Sequence, residues 1–291
     1  MHTDAKDLYL GGLVNGKVTS KDKEKNKFNR MAKIQSIYPE IDQKLRDIID
    51  KENKHTIEKA CAFSVLLMIS TGIRIGNEGS AEGYISKAPK TLGQILKTYG
   101  LTTLLHEHID FRYSSSLPYS LNNGDPTWMI LNFVGKKSVE HEIYIGDTYL
   151  IKFGLEFYDL NHPIWLTGYD KKLKEYRPLE VNDLRKFIKK RIGRYFTPKD
   201  FRTFRGNIEA ARTSKELLKH QPEKFLKKDL KEEIKEIITS CAEVLGNTNS
   251  ASKKSYINPE ILEKHMNARG FNLIIKKRKN KKKEIIEKIG E

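Results

Sequence analysis

Arginine at 74 and 202, lysine at 136 and 199, asparagine at 247 and tyrosine at 256 together form a set that could open a phosphodiester. That reaction needs a nucleophile, cations that hold the non-bridging oxygens as charge builds, and an acid for the departing oxygen. Taken singly, each residue has a plainer use. Arg74, in TGIRIGNE, follows an apolar run, and a lone arginine there is most often a structural salt bridge. Lys136, in FVGKKSVEHE, sits in a turn-like segment, where an exposed lysine is usually just solvated. Lys199, Arg202 and Arg205 recur at three-residue steps in KDFRTFRGN. On a helix they share a face and repel one another, so an anionic ligand explains them better than a structural purpose. Asn247 follows a glycine in LGNTNSASKKSYI, and Tyr256 stands behind Lys253 and Lys254, which alone would read as amphipathic surface. In this order the islands supply every part of a phosphoryl transfer. No cluster of acidic or His/Cys ligands accompanies them, so no cofactor or metal is expected.

The elements that must position these residues can be read from periodicity. From Phe28 the pattern is helical, with Ile34, Ile37, Ile41, Leu45, Ile48 and Ile49 at three- and four-residue steps and Pro39 marking a break or a new start. TIEKACAFSVLLMIS, from Thr56 to Ser70, is apolar on most faces and reads as the central core helix, capped by Thr56 and stopped by Gly72. The middle changes period. Leu101 to Phe111, Trp128 to Val134 and Glu142 to Ile145 predict a small antiparallel sheet of about three strands, with a hairpin tip at Gly135 to Ser138. Ser114 to Pro126 reads as a loop rich in turn formers. Helices return over 182–192, 199–214 and 225–245, the last stopped by Gly246, and Asn258-Pro259 starts one more.

Composition narrows the class of partner. The chain has 291 residues, 38% hydrophobic and 32% charged, with 54 Lys+Arg against 38 Asp+Glu and a formal charge of +16. No apolar run reaches the ~18 residues needed to span a bilayer, and the N-terminal residues do not have the pattern of a secretory signal. Cys61 and Cys241 supply neither a disulfide framework nor metal-ligand spacing. The basic surplus favours a polyanion, nucleic acid before anionic membrane, against the plainer explanation of a lysine-rich surface from a lysine-biased genome.

At this point the chain resembles a family, the type IB DNA topoisomerases, above all the compact poxvirus-like and bacterial members. TGIRIGNE matches the first arginine motif of that family, and KTYGLTTLLHEHI its Gly-Leu-Thr-Thr-Leu stretch at the opening of a strand. FVGKKSVEHEI is similar to its Gly-Lys hairpin, KDFRTFRGN to its second arginine motif, and LGNTNSASKKSYINPE to its Gly-His/Asn-Thr and tyrosine segment. The resemblance covers residues 28 to 265. It implies that Tyr256 cuts one DNA strand and becomes linked to its 3′ phosphate, with Arg74 and Arg202 clamping the non-bridging oxygens. Lys136 would protonate the leaving 5′ hydroxyl, with Lys199 assisting. Asn247 would fill the position that is histidine in many members, and Lys137, Arg205, Lys253 and Lys254 would bind DNA. Tyrosine has an ordinary pKa near 10, so only about 0.1% ionises unaided at pH 7, and neighbouring cations would favour the phenolate. Relaxation would need neither ATP nor metal, because the covalent bond conserves the energy of the phosphodiester.

The resemblance therefore implies an α+β, mainly α-helical fold, a helical catalytic domain of the tyrosine recombinase/type IB topoisomerase kind with a small antiparallel sheet. The domains expected are a short N-terminal remnant (1–27), a catalytic domain (28–268) and a basic C-terminal tail (269–291), the tail mobile. The remnant is too small for the β-rich domain that relatives place before the catalytic one. DNA binding is therefore expected to be weaker and more salt-sensitive, with the tail compensating. The partner is double-stranded DNA, with no membrane and no small-molecule cofactor. The protein is expected to act as a monomer wherever the DNA is, in nucleus, nucleoid, virion or viral factory. Two other readings compete. A tyrosine recombinase or integrase shares the chemistry, but typically has His-x-x-Arg where this chain has Lys199-Asp200-Phe201-Arg202. A non-catalytic basic DNA-binding protein explains the charge but leaves the Tyr256 segment without a purpose.

Overall fold

The computed structural model describes residues 20–51, 54–85, 94–113, 126–222, 224–278 and 281–288. Residues 1–19 of the expected remnant, with Gly11, Gly12 and Gly16, and residues 114–125 of the expected loop lie outside them. The fold is α+β and mainly helical. It divides into two compact units, Met1–Arg202 and Thr203–Glu291.

The first unit is organised on its most apolar helix. Helices α1 (Ser20–Ser36) and α2 (Tyr38–Lys51) precede α3 (Ile57–Thr71), whose side chains are almost all buried. Thr56 caps α3 by accepting a hydrogen bond from the Lys59 N–H, and Gly72 ends it in the left-handed region at φ 71°. A short helix α4 (Glu78–Glu82) and a small β1–β2 pair (Tyr84–Ile85, Ile95–Leu96) follow. Strands β3 (Ile109–Arg112), β4 (Trp128–Gly135) and β5 (Val139–Ile145) then form one antiparallel sheet in the order β3-β4-β5. Helix α5 (Thr148–Tyr158), the β6–β7 hairpin (Thr167–Asp170, Glu175–Pro178) and α6 (Val181–Phe187) complete the unit up to the first turns of α7 (Pro198–Lys219). Helices α2, α5 and α6 and strand β6 all pack on α3.

The expected three-stranded sheet and its hairpin tip are present, but Leu101 to His108 is not strand. Leu101–Thr103 and His106–His108 are single 3₁₀ turns, and β3 begins only at Ile109. The hydroxyls of the threonines that suggested a strand bond to backbone carbonyls instead. The Thr103 hydroxyl donates to the Gly100 carbonyl at 3.1 Å, and the Thr102 hydroxyl donates to the Ile75 carbonyl at 2.9 Å.

The second unit contains the remainder of α7 with α8 (Lys227–Val244), α9 (Asn249–Ser255), α10 (Pro259–Ala268) and a hairpin of β8 (Phe271–Arg278) and β9 (Lys281–Lys288). The segment expected as a mobile tail is thus paired backbone, antiparallel from Phe271↔Lys288 to Arg278↔Lys281. The apolar core joins Ala210, Ile237, Ile238, Cys241, Leu245, Tyr256, Ile257 and Leu262. A buried polar chain ties three helices together. Ser214 Oγ lies 2.9 Å from His265 Nδ1, and His265 Nε2 lies 2.8 Å from Glu233. Arg269 donates to both oxygens of Glu233.

Burial holds the His265 imidazole below its usual pKa, although Glu233 pulls the other way. The unfolded chain therefore binds the proton more readily than the folded one. Stability from this group is complete above about pH 6.5, the ordinary histidine value, and is lost as pH falls through the lower folded value. Thermal melts at pH 7 and pH 5 should show the acid sample melting lower, with the difference reduced in His265→Gln.

Candidate active site

Arg74 is carried by the chain leaving α3, and three features hold that chain in place. The N–H groups of Leu101 and Thr102 donate to the carbonyls of Arg74 and Ile75 at 2.8 and 2.9 Å. Gly100 lies so close that a methyl group on it would sit 2.6 Å from Gly76 Cα and 2.8 Å from the Arg74 carbonyl oxygen. These are backbone atoms and cannot swing aside. The Gly-Leu-Thr-Thr stretch is therefore a cradle for the arginine segment. Gly100→Ala should push Arg74 out of place and slow DNA cleavage by ~10²-fold, the usual penalty for a misplacement of about 1 Å. Single-turnover cleavage with a melting control checks this.

Arg202 lies on the first turns of α7, and what fixes that turn is visible in the structure. Asp200, almost fully buried, accepts from the Thr197 backbone N–H at 2.9 Å and from the Thr197 hydroxyl at 2.8 Å. Its own N–H donates to the Thr197 carbonyl at 2.9 Å, so backbone and side chain both close this first turn. The same carboxylate takes both Arg30 donors, at 3.1 and 3.0 Å. Behind this lock Arg202 is 4% exposed and donates from Nη1 to the carbonyl of Gly72, the residue that ends α3. Arg202 is thus anchored to the chain segment that carries Arg74.

Lys136 stands exposed on the loop between β4 and β5. Gly135 pairs with Val139 across the hairpin, and Lys137 and Ser138 turn the chain at φ 67° and 56°. Beneath this loop lies His141, which the sequence did not single out. Its ring stacks on Phe133, its cross-strand partner, at 4.8 Å between centroids. A methyl on Gly135 would lie 2.6 Å from His141 Cδ2 and Nε2, so the imidazole occupies the space beside Gly135 Cα. Burial, together with the charges of Arg202 and Arg74, holds this imidazole below its usual pKa. Lys199 is exposed, one residue before Asp200.

The remaining candidates belong to the second unit. Helix α8 ends in a Schellman motif. Gly246, at φ 53°, donates to the Glu243 carbonyl, and Asn247 N–H donates to the Ala242 carbonyl at 2.8 Å. Thr248 then caps α9, which leads to Tyr256 with Lys253 and Lys254 exposed. Tyr256 itself is 7% exposed and belongs to the core. Its backbone is gripped by Asn207 of α7, a second residue that the sequence reading passed over. Asn207 Nδ2 donates to the Tyr256 carbonyl at 2.6 Å, and Oδ1 accepts from the Asn258 N–H at 2.7 Å. Arg205 is ion-paired to Glu209 at 2.9 Å, and Arg212 pairs with the same carboxylate. Burial opposes ionisation of Glu209, but hydrogen bonds from Arg212 and Arg205 outweigh it and keep the carboxyl below its usual range.

The first unit therefore brings Arg74, Lys136 and Arg202 onto connected supports, and the second joins Asn247 to Tyr256 through one short helix. Residues 16–288 match the family described as eukaryotic DNA topoisomerase I, catalytic core. The chain belongs to the type IB DNA topoisomerases. The match extends past residues 28–265, the span of the resemblance, at both ends. A DNA topoisomerase 1B of Acanthamoeba polyphaga mimivirus is 26% identical over 283 residues, covering 90% of this chain and 74% of the relative. As a type IB topoisomerase the chain is a type I DNA topoisomerase enzyme, and DNA is its substrate.

Proposed function

We propose that this topoisomerase relaxes supercoiled DNA by cutting one strand with Tyr256, holding the 3′ phosphate as a phosphotyrosine, and resealing the strand after it has swivelled. Arg74 and Arg202 bind the non-bridging oxygens and stabilise the charge that grows on them. Lys136, on its exposed loop, gives a proton to the departing 5′ oxygen, and Lys199 assists. The Asn247 amide donates a hydrogen bond to the phosphate. It cannot titrate near neutral pH, so it supports the transition state as a dipole alone. Lys137, Lys253 and Lys254 bind flanking phosphates, and Arg205 does so to the extent that Glu209 leaves its charge unscreened.

The observation that carries this reading is the anchoring of Arg202 on the Gly72 carbonyl, two residues before Arg74. A buried guanidinium that donates to a helix end is preorganised, because its planar fork is held in a fixed direction. The burial of Tyr256 adds a requirement. The phenol must be uncovered before it reaches a phosphorus atom, and binding of DNA is the event that uncovers it.

Religation uses the energy stored in the phosphotyrosine, so ATP is not consumed, and the side chains supply the cations. A plasmid-relaxation assay in EDTA without nucleotide tests this. Stepwise relaxation of the plasmid is expected. A strict requirement for ATP, or for paired target sites as in a recombinase, would contradict it.

A further inference from the structure

We propose that His141 carries a DNA-linked proton: its imidazole becomes protonated when a DNA phosphodiester settles on Arg74 and Arg202, and so acts as a positioning residue that joins the lysine loop to the arginine pair. The proposal rests on the phosphate-clamping roles given above to the two arginines.

The placement of His141 argues for it. The ring lies in the space beside Gly135, immediately before Lys136, and is stacked on Phe133 of the same hairpin. The charged groups whose fields act on it are Arg202, from the start of α7, and Arg74, from the chain beyond α3. Strand β4 faces it with Phe133 and Gly135, neither of which titrates. On its own strand the neighbours Glu140 and Glu142 are exposed, and strand alternation directs them to the opposite side of the sheet.

The electrostatics follow from this arrangement. In the free protein partial burial and then the charges of Arg202 and Arg74 hold the imidazole below its usual pKa. A phosphodiester brings one negative charge to those guanidinium groups and offsets part of their field. The cost of protonating His141 falls, and the pKa rises. Linkage makes this reciprocal, so a proton on His141 strengthens phosphate binding by the same factor. The sign is fixed. Between the lower pKa of the free state and the higher pKa of the complex, binding takes up a proton. Affinity therefore rises as pH falls through that window, by up to about tenfold per pH unit.

The experiment uses full-length Tyr256→Phe protein, which cannot form the covalent link, with and without a short DNA duplex. The imidazole of His141 is titrated by NMR in both states, with its resonances assigned directly. A rise of about one pH unit or more on DNA binding is expected, and an unchanged pKa would overturn the proposal. Duplex affinity is measured against pH for the wild type and for His141→Gln. The wild type should show the steeper gain on the acid side, and superimposable profiles would overturn the proposal. A ring that only fills space would leave both readouts unmoved. The titration uses the native residue, so it stands even if His141→Gln fails to fold. Wild-type protein that forms the Tyr256 adduct without the shift sinks this inference alone. Absence of the adduct sinks the proposed function instead.

Discussion

Tyr256→Phe should abolish covalent attachment to DNA and plasmid relaxation while leaving duplex binding in place. The expected loss is on the order of 10⁶-fold, the scale seen when a covalent nucleophile is removed from an enzyme. Phenylalanine keeps the ring that packs among Ile237, Cys241, Leu245 and Leu262, so the core of the second unit stays filled. The Asn207 grip is on the backbone of Tyr256 and Asn258 and survives the change. The variant therefore separates chemistry from folding more cleanly than Tyr256→Ala, which would leave a cavity. Gel-shift binding measured beside denaturant-trapped cleavage checks both halves. Equal nicking by Tyr256→Phe and wild type would rule out the tyrosine as nucleophile.

Arg202→Ala should slow cleavage by at least ~10²-fold, the usual loss for one preorganised donor at a developing negative charge. This change has a second consequence for stability. Arg202 is buried and donates to Gly72, so its removal leaves that carbonyl without the bond, at a cost of about 1–3 kcal/mol. Arg202→Ala should therefore melt lower than wild type as well as cleave slowly, and Arg74→Ala should likewise slow cleavage by at least ~10²-fold. Lysine at 202 should not restore activity, because a single ammonium cannot hold Gly72 and a phosphate in the geometry of a guanidinium fork. Single-turnover rates and melting temperatures for the three variants test this, and Arg202→Ala cleaving at the wild-type rate would remove Arg202 from the clamp.

Much of the scaffold was legible because local chemistry and tertiary packing agree. Thr56 and Gly72 cap α3 where the sequence puts them, and Asn258-Pro259 opens α10 with the asparagine accepting from Glu260. The Gly135 to Ser138 tip is equally local, since two residues there take positive φ. Where composition and backbone demand diverge, the reading slipped. Leu-Thr-Thr-Leu has strand-forming residues, but its hydroxyls bond to nearby carbonyls and make a turn that holds the Arg74 segment. The β6–β7 hairpin is short and polar, and nothing in its period announces it. Its Arg177 bridges Asp170 of β6 and Asp183 of α6, a contact between separate elements.

For the candidate site, the sequence offers residue types and their order but not the environment of each side chain. Lys253 and Lys254 make the stretch before Tyr256 look like surface, and they are exposed, yet Ser252 and Tyr256 on either side of them are both buried. Arg205 looked free to bind an anion until α7 placed Glu209 one turn away. Asn207 and His141 lie inside motifs already quoted for other residues. Their roles depend on partners 49 residues away for Asn207, and on two arginines outside the hairpin for His141, which no local pattern shows.

The most direct measurement is to mix the wild-type protein with a labelled DNA duplex, stop the reaction with denaturant, and map the covalently modified residue by peptide mass spectrometry. A single DNA-linked peptide is expected, with the 3′ phosphate on Tyr256 and a free 5′ hydroxyl on the other cut end. Attachment at any other residue, a 5′-phosphoryl linkage, or relaxation of plasmid with no trapped adduct would contradict the mechanism.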